Sequence, residues 1–156
     1  MPDFILSEIL DGFRVLVHGL QMGSRNSEEQ VGLTGAQLFV MEKLRGATAM
    51  TVNELAAATH THQSTISVVV SKLVKKKLVS RVRSAEDARV QMLSITKEGE
   101  AKLRDSPETV QDRLVNALKK MSRADRDQLV SLLRRVLLDA GLSEVEPQLF
   151  LESKRK

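Results

Sequence analysis

Basic and hydroxyl-bearing side chains are concentrated between Thr61 and Arg89, and this is the part of the chain best suited to chemistry. The segment holds seven Lys or Arg residues and two acidic residues, a net charge of +5, whereas the whole chain carries only +4. A local positive charge of this size attracts the phosphate backbone of a nucleic-acid duplex. A solvated surface helix is the alternative explanation of a lysine run taken alone.

The first half of this segment has the spacing of a helix with one apolar face. Its apolar residues at three-and-four spacing are Ile66, Val69, Val70 and Leu73. If this face packs inward, helical geometry turns a second set of residues towards solvent. The outward set is Ser64, Thr65, Ser67, Val68, Ser71 and Lys72. Side chains at the start of such a helix can reach base edges, and later ones meet phosphates.

The chemistry of this helix face suits contact with duplex DNA. The amide of Gln63 can bond adenine in a bidentate manner, and the short hydroxyls suit phosphates or single base edges. An exposed Val68 can touch a thymine methyl group. The alternative is that the hydroxyls only cap or solvate the helix, since most protein–DNA contacts are positional.

The second half of the segment carries arginines on a predicted β-hairpin. Arg81 and Arg83 share a face of its first strand and are placed to meet phosphates. Lys75, at the end of the preceding helix, is expected to steer the long-range encounter with DNA rather than make a fixed contact. Asp87 and Arg89 lie at the hairpin tip, and an aspartate two residues from an arginine can orient the guanidinium or tie the hairpin to the domain. The alternative is a surface ion pair worth about 0–1 kcal/mol.

Local signals predict the elements that position these residues. An apolar face predicts a helix from Phe4 to Met22, and the polar stretch from Gly23 to Gly32 is predicted to be a loop. Two consecutive helices joined by a short turn match the helix-turn-helix pattern. Capping boxes at Thr34 and Gln37 and at Thr51 and Glu54 predict a helix that ends at Leu44 and a short helix after it. Next come a helix from Gln63 to Lys77 and two strands, Val79–Arg83 and Val90–Ile95. The chain after Thr96 is predicted to be helical, with a break at Ser106-Pro107, where Ser106 would be the N-cap, and a last helix from Ser122 to Gly141.

Composition excludes several classes of function. Without cysteine there is no disulfide, thiolate metal site or thiol redox switch. An aromatic content of 3% weakens models based on stacking against single-stranded bases. His18, His60 and His62 lack the spacing and neighbouring ligands of a metal site, and no catalytic motif is present. The sequence thus predicts no enzyme, no metal and no cofactor. With neither a secretory signal nor a membrane-length apolar run, we expect a cytoplasmic protein.

The chain resembles the MarR family of bacterial winged-helix regulators over nearly its whole length. The most specific part is DARVQMLSITKEG (87–99), which is similar to the family's wing signature of Asp-x-Arg, Leu-x-aliphatic-Thr and a later Gly. The resemblance implies a mainly α fold with a β-hairpin wing in a single domain, 1–156. Within it, 34–99 form the winged helix-turn-helix, and 4–22 and 100–150 form N- and C-terminal dimerisation helices. Two positions depart from the family pattern: Val68 replaces an arginine, and Lys77 replaces a glycine, which suggests a different helix exit.

The same resemblance implies a function. We expect a homodimer that binds a palindromic operator in double-stranded DNA as a repressor, with Arg89 entering the minor groove. The terminal helices, Phe4 to Leu20 and Leu129 to Phe150, are expected to build the dimer. A small aromatic or phenolic ligand is expected near the junction formed by His18, Met22, Phe39 and Met41, although apolar residues at such spacing are more often core. A winged helix that binds an acidic protein partner is the alternative function.

Overall fold

The computed structural model describes residues 3–150 as seven α-helices and one two-stranded antiparallel sheet. The predicted fold class, mainly α with a β-hairpin wing, is confirmed. No helix within residues 3–150 combines the length and apolarity needed to cross a bilayer. The elements in chain order are α1 (Phe4–Val31), α2 (Gly35–Arg45), α3 (Val52–Ala58), α4 (Gln63–Lys75), β1 (Val79–Arg83), β2 (Gln91–Ile95), α5 (Lys97–Arg104), α6 (Val110–Lys120) and α7 (Arg123–Asp139).

The predicted loop between Gly23 and Gly32 is wrong, because α1 continues through it to Val31. Two serines of this polar stretch, Ser24 and Ser27, are buried, and their hydroxyls form hydrogen bonds. Ser27 Oγ donates to the carbonyl oxygen of Gly23 at 2.9 Å, and Ser24 Oγ accepts from the Gly35 amide at 3.3 Å. Tertiary packing therefore keeps a polar stretch helical. The helix ends at Gly32, whose φ of 71° is the left-handed conformation that glycine adopts most easily.

Both predicted capping boxes are present. Thr34 Oγ1 accepts from the Gln37 amide, and the Gln37 side chain accepts from the Thr34 amide, each at 3.2 Å. Thr51 and Glu54 make the same reciprocal pair at the start of α3. The Glu54 carboxylate accepts hydrogen bonds from the Thr51 amide and hydroxyl, which hold the pKa of Glu54 below its usual value. Side chains three residues apart in sequence thus define where α2 and α3 begin.

The core lies between α2, α3, α4 and the sheet. Its fully buried side chains include Leu38, Leu44 and Leu55 from the first two of these helices. Leu93 of β2 is also fully buried, and Met50 extends the sheet at this point by exchanging backbone hydrogen bonds with Leu93 at 2.9 and 2.7 Å. The hairpin is therefore fixed to the helical body on the side that contains Leu93.

The helical region after the sheet breaks where the sequence predicted a break, but a different residue begins the next helix. Ser106 Oγ donates to the carbonyl oxygen of Leu103 and so closes α5. The N-cap of α6 is Thr109, whose hydroxyl accepts from the Asp112 amide at 3.0 Å. The assignment of Ser106 as N-cap is wrong, because a serine can satisfy either a helix end or a helix start.

Two helices leave large apolar surfaces uncovered. None of the 17 residues of α7 is buried, although the helix carries five leucines and valines on one side and is correctly capped by Ser122. The first half of α1 is exposed in the same way, from Phe4 at 74% to Phe13 at 39%. Contiguous apolar patches of this kind usually mark an interface.

Candidate nucleic-acid interface

Helix α4 presents the predicted face to solvent. Ile66, Val69, Val70 and Leu73 are fully buried in the core, as the spacing predicted. Their burial leaves the opposite side of the helix accessible, including Val68, which is 51% exposed. The exposed or partly exposed residues on this side are Gln63, Ser64, Thr65, Ser67, Val68, Ser71 and Lys72.

The hydroxyl groups on this face of α4 differ in their hydrogen bonding. Ser71 Oγ donates to the Ser67 carbonyl oxygen at 2.8 Å, the back-bond that serines commonly form within helices. Thr65 Oγ1 donates to the carbonyl oxygen of Pro147 at 3.2 Å. Only the hydroxyls of Ser64 and Ser67 have no hydrogen-bond partner within residues 3–150. The helix-solvating alternative therefore describes Ser71.

A four-residue turn joins α3 to α4 and completes the helix-turn-helix. The Thr59 hydroxyl donates to the carbonyl oxygens of Leu55 and Ala56 and so closes α3. His60 has a φ of 53°, which reverses the chain direction before α4 begins at Gln63. His60 therefore has a backbone role, and no group of three potential metal ligands exists in the described part of the chain.

The end of α4 differs from the prediction. The helix ends at Lys75, two residues before the predicted end, and Lys77 has a φ of 60°. Lys77 therefore adopts the left-handed conformation that a glycine would adopt there, so the inference of a different helix exit is wrong. The exit is retained, and the lysine bears the steric cost that L-residues meet in this conformation.

The lysines at this helix end have distinct environments. Lys75 is exposed and makes no hydrogen bond or ion pair with the described residues. Lys76 Nζ instead donates to the Gly32 carbonyl oxygen at 3.1 Å and to Gln37 Oε1 at 3.3 Å. The sequence did not reveal this role, because the acceptor lies 44 residues away.

The wing arginines Arg81, Arg83 and Arg89 are exposed to solvent. Strand register places Arg81 opposite Leu93 and Arg83 opposite Gln91, so the two arginines share a face as predicted. No hydrogen bond or ion pair joins the guanidinium of Arg81, Arg83 or Arg89 to any residue in the described range. Strand β2 begins at Gln91, one residue later than predicted.

Asp87 has a different partner from the one predicted. Its carboxylate accepts the backbone N–H of Arg89 at 2.9 Å and makes no pair with the guanidinium. The Asp87 carbonyl oxygen accepts the Val90 amide at 2.9 Å, and the Ser84 amide donates to the Val90 carbonyl at 2.8 Å. Asp87 therefore shapes the backbone of the wing tip and leaves the Arg89 side chain available.

The predicted ligand-site residues occupy two environments. Phe39 and Met41 of α2 belong to the buried core, and the Lys43 ammonium lies 4.8 Å from the centre of the Phe39 ring. His18 and Met22 are exposed on α1. The structure therefore does not bring the four side chains to one open cavity.

Comparison with known proteins identifies the class to which this geometry belongs. The helix-turn-helix, the exposed face of α4 and the arginine-bearing wing are features of a winged-helix transcriptional regulator. The model of the SarA/Rot family of transcriptional regulators matches residues 24–106, more than half of the chain. The chain therefore belongs to the SarA/Rot family of transcriptional regulators, and the expected regulator of MarR type is confirmed.

Individual relatives agree with this assignment. The HTH-type transcriptional repressor MdtR of Bacillus subtilis is 31% identical over 103 residues. That match spans 66% of each protein, so the chain covers slightly less than two thirds of the relative's length. A mutant MarR from E. coli in complex with operator DNA is 25% identical with a TM-score of 0.56, over 87% of this chain and 99% of that one. The YusO protein of Bacillus subtilis is 25% identical with a TM-score of 0.53, over 88% of this chain and 98% of that one.

Proposed function

We propose that the protein is a homodimeric repressor that binds a palindromic operator in double-stranded DNA. The observation that carries the proposal is the exposed surface formed by α4 and the wing, on which the guanidinium groups of Arg81, Arg83 and Arg89 have no partner within residues 3–150. Unpaired cations beside a helix of short polar side chains suit a phosphate backbone and its major groove.

The residues divide into three roles. Gln63, Ser64, Ser67 and Val68 lie in the first two turns of α4, from which side chains reach base edges, and so would supply sequence preference. Lys75, Arg81 and Arg83 would contact phosphates and set affinity. Arg89 would enter the minor groove from the wing tip, where a narrow groove concentrates negative potential.

The dimer would be built by the uncovered helices. Helix α7 has no buried residue, and α1 exposes its apolar side chains from Phe4 to Val17. A two-fold partner would cover both faces and double the number of phosphate contacts. Two-fold symmetry then requires two operator half-sites separated by about one duplex turn, roughly 10 base pairs.

The alternative function is a winged helix that binds an acidic protein partner through the same basic surface. Selection of bound duplexes from a random pool separates the two. The proposal expects an inverted repeat to emerge, and a scrambled duplex of equal length should bind more weakly at every salt concentration. Equal and weak retention of both duplexes would contradict the repressor and favour the protein-binding module.

Release by a small aromatic or phenolic ligand is a further part of the proposal that rests on family resemblance. Because Phe39 and Met41 are buried, a ligand at this junction would enter from the exposed side of His18 and Met22 and displace core packing. A library of aromatic carboxylates and phenols tests this by thermal shift, followed by release from the selected operator. Compounds that raise the melting temperature without releasing DNA would contradict an inducer role.

A further inference from the structure

The segment of residues 142–150, here called the C-terminal segment, returns from α7 to the winged-helix core. Leu149 is only 7% exposed and belongs to the core, whereas the other residues of the segment are exposed. The sequence assigned this stretch to the dimer interface. In the described chain, Leu149 instead packs against the core of its own subunit. The segment is therefore anchored near its C-terminal end, and residues 142–148 are exposed to solvent.

Two hydrogen bonds hold the docked segment. Gln111 Nε2 of α6 donates to the Phe150 carbonyl oxygen at 3.4 Å, and the Gln111 side chain is itself buried, with 5% exposure. Thr65 Oγ1 of α4 donates to the Pro147 carbonyl oxygen at 3.2 Å. The segment therefore spans from α6 to the first turn of the recognition helix.

The second of these bonds lies on the proposed DNA-binding face. A Thr65 hydroxyl that donates to Pro147 has no second proton for a phosphate or a base edge. The segment also brings Glu144 and Glu146, with no Lys or Arg between 142 and 150, towards a surface that must attract phosphates. Like charge near a nucleic-acid site opposes binding through Coulomb repulsion.

We propose that the C-terminal segment is an autoinhibitory strap that covers the start of α4 and must leave before DNA can bind. The inference rests on the proposed function, because it assigns a competitor to the same surface. The protein then exists in a docked and an open form, and only the open form presents the whole face of α4. Docking for about 90% of the time would lower the apparent DNA affinity about tenfold.

A thiol-reactivity experiment tests this directly, because the chain has no cysteine and one introduced thiol reports alone. Leu149→Cys places the thiol in the buried position, where a free cysteine behaves as a small hydrophobic residue. Val145→Cys is the matched control, since Val145 lies in the same segment and is 65% exposed. The reagent is a small aromatic disulfide, and the probe is a mixed-sequence duplex at low salt.

The strap model predicts slow modification of Leu149→Cys in the free protein and modification several-fold faster once duplex is bound. Val145→Cys should react rapidly in both states. If the variant binds the duplex but its thiol at position 149 is modified no faster than in the free protein, the strap is wrong and the DNA-binding proposal remains intact. Failure of both variants and of the wild type to retard any duplex would instead overturn the proposed function.

Affinity provides an independent readout. Leu149→Asp should release the segment and tighten binding to the same duplex about tenfold, because it removes the loss of affinity expected from docking for about 90% of the time. Val145→Asp adds the same charge without undocking the segment, and should bind no more tightly than wild type. If circular dichroism shows that Leu149→Asp retains its helices but binds with unchanged or lower affinity, the segment is a permanent structural element and the strap is wrong.

Discussion

The ammonium of Lys76, at the end of the recognition helix, donates a hydrogen bond of 3.1 Å to the carbonyl oxygen of Gly32, at the end of α1. Lys102 of α5 donates in the same way to the Val31 carbonyl oxygen at 2.9 Å. Helix α1 has no basic residue in its own last turn, so these two lysines supply the positive charge that its C-terminus favours. A lysine within the basic run is thus part of the scaffold.

Lys76→Met is expected to lower the free energy of unfolding by about 0.5–1 kcal/mol, because it removes a cation from a helix C-terminus and keeps the apolar stem. Lys75→Met is the matched control and should cost less stability, because Lys75 makes no hydrogen bond or ion pair with the described residues, while weakening specific and non-specific duplexes alike. Urea unfolding at a fixed protein concentration and a salt titration of DNA binding measure the two effects. If the salt dependence of DNA binding fell as much in Lys76→Met as in Lys75→Met, the structural role of Lys76 would be contradicted.

Lys77→Gly is expected to stabilise the protein by about 0.5–1 kcal/mol. The φ of 60° at Lys77 costs an L-residue about 1–2 kcal/mol, part of which the greater unfolded-state entropy of glycine offsets. The same change at Lys75, which lies in the helix, should destabilise by about 1 kcal/mol. Opposite signs at these two neighbouring lysines in thermal unfolding would support the left-handed exit, and two losses would refute it.

Gly99→Ala is expected to destabilise the fold by about 1–3 kcal/mol, the usual cost of forcing a methyl group into packed surroundings. A Cβ at Gly99 would collide with the Leu78 carbonyl oxygen and lie 2.7 Å from Ile95 Cγ1. Gly46→Ala is the control, because its φ of −72° suits alanine and its nearest neighbour is 3.7 Å away. Denaturation midpoints that shift equally in both variants would show that this close approach is relaxed in solution.

Sequence predicted the elements whose signals are local. The capping boxes at Thr34 and Thr51 and the apolar face of α4 each depend on residues within one or two turns, and all were confirmed. The loop predicted after Gly23 was wrong because the burial of Ser24 and Ser27 depends on distant packing. Local polarity alone could not distinguish a buried, hydrogen-bonded serine from a loop serine.

The candidate interface was predictable in its residue types but not in its contacts. The side chains of α4 and the wing face solvent as expected, whereas Asp87 bonds a backbone amide that sequence spacing could not select over a guanidinium. Thr65 bonds a carbonyl 82 residues away, and Lys76 bonds one 44 residues away. Contacts at such separations depend on the assembled fold and leave no periodic trace in the sequence.

The uncovered helices lead to a prediction about assembly. Light scattering at low micromolar concentration should give twice the 17.3 kDa chain mass. Leu133→Glu should shift the protein towards monomer, because it places a charge on the apolar side of α7. Ser131→Glu introduces the same charge on the opposite side of that helix and should remain dimeric. A wild-type monomer with intact helicity would refute the dimer.

The measurement that tests the central proposal most directly is DNA binding by Arg89→Ala across a salt titration. The Arg89 guanidinium has no partner within residues 3–150, so its loss should leave stability unchanged. Operator binding should weaken by about 1–3 kcal/mol, and the salt slope should fall by about one unit. Arg135→Ala, on the side of α7 opposite its apolar face, serves as the control and should bind like wild type. Circular dichroism of each sample verifies folding. Wild-type affinity and slope in a folded Arg89→Ala variant would contradict the assignment of the wing to the DNA-binding surface.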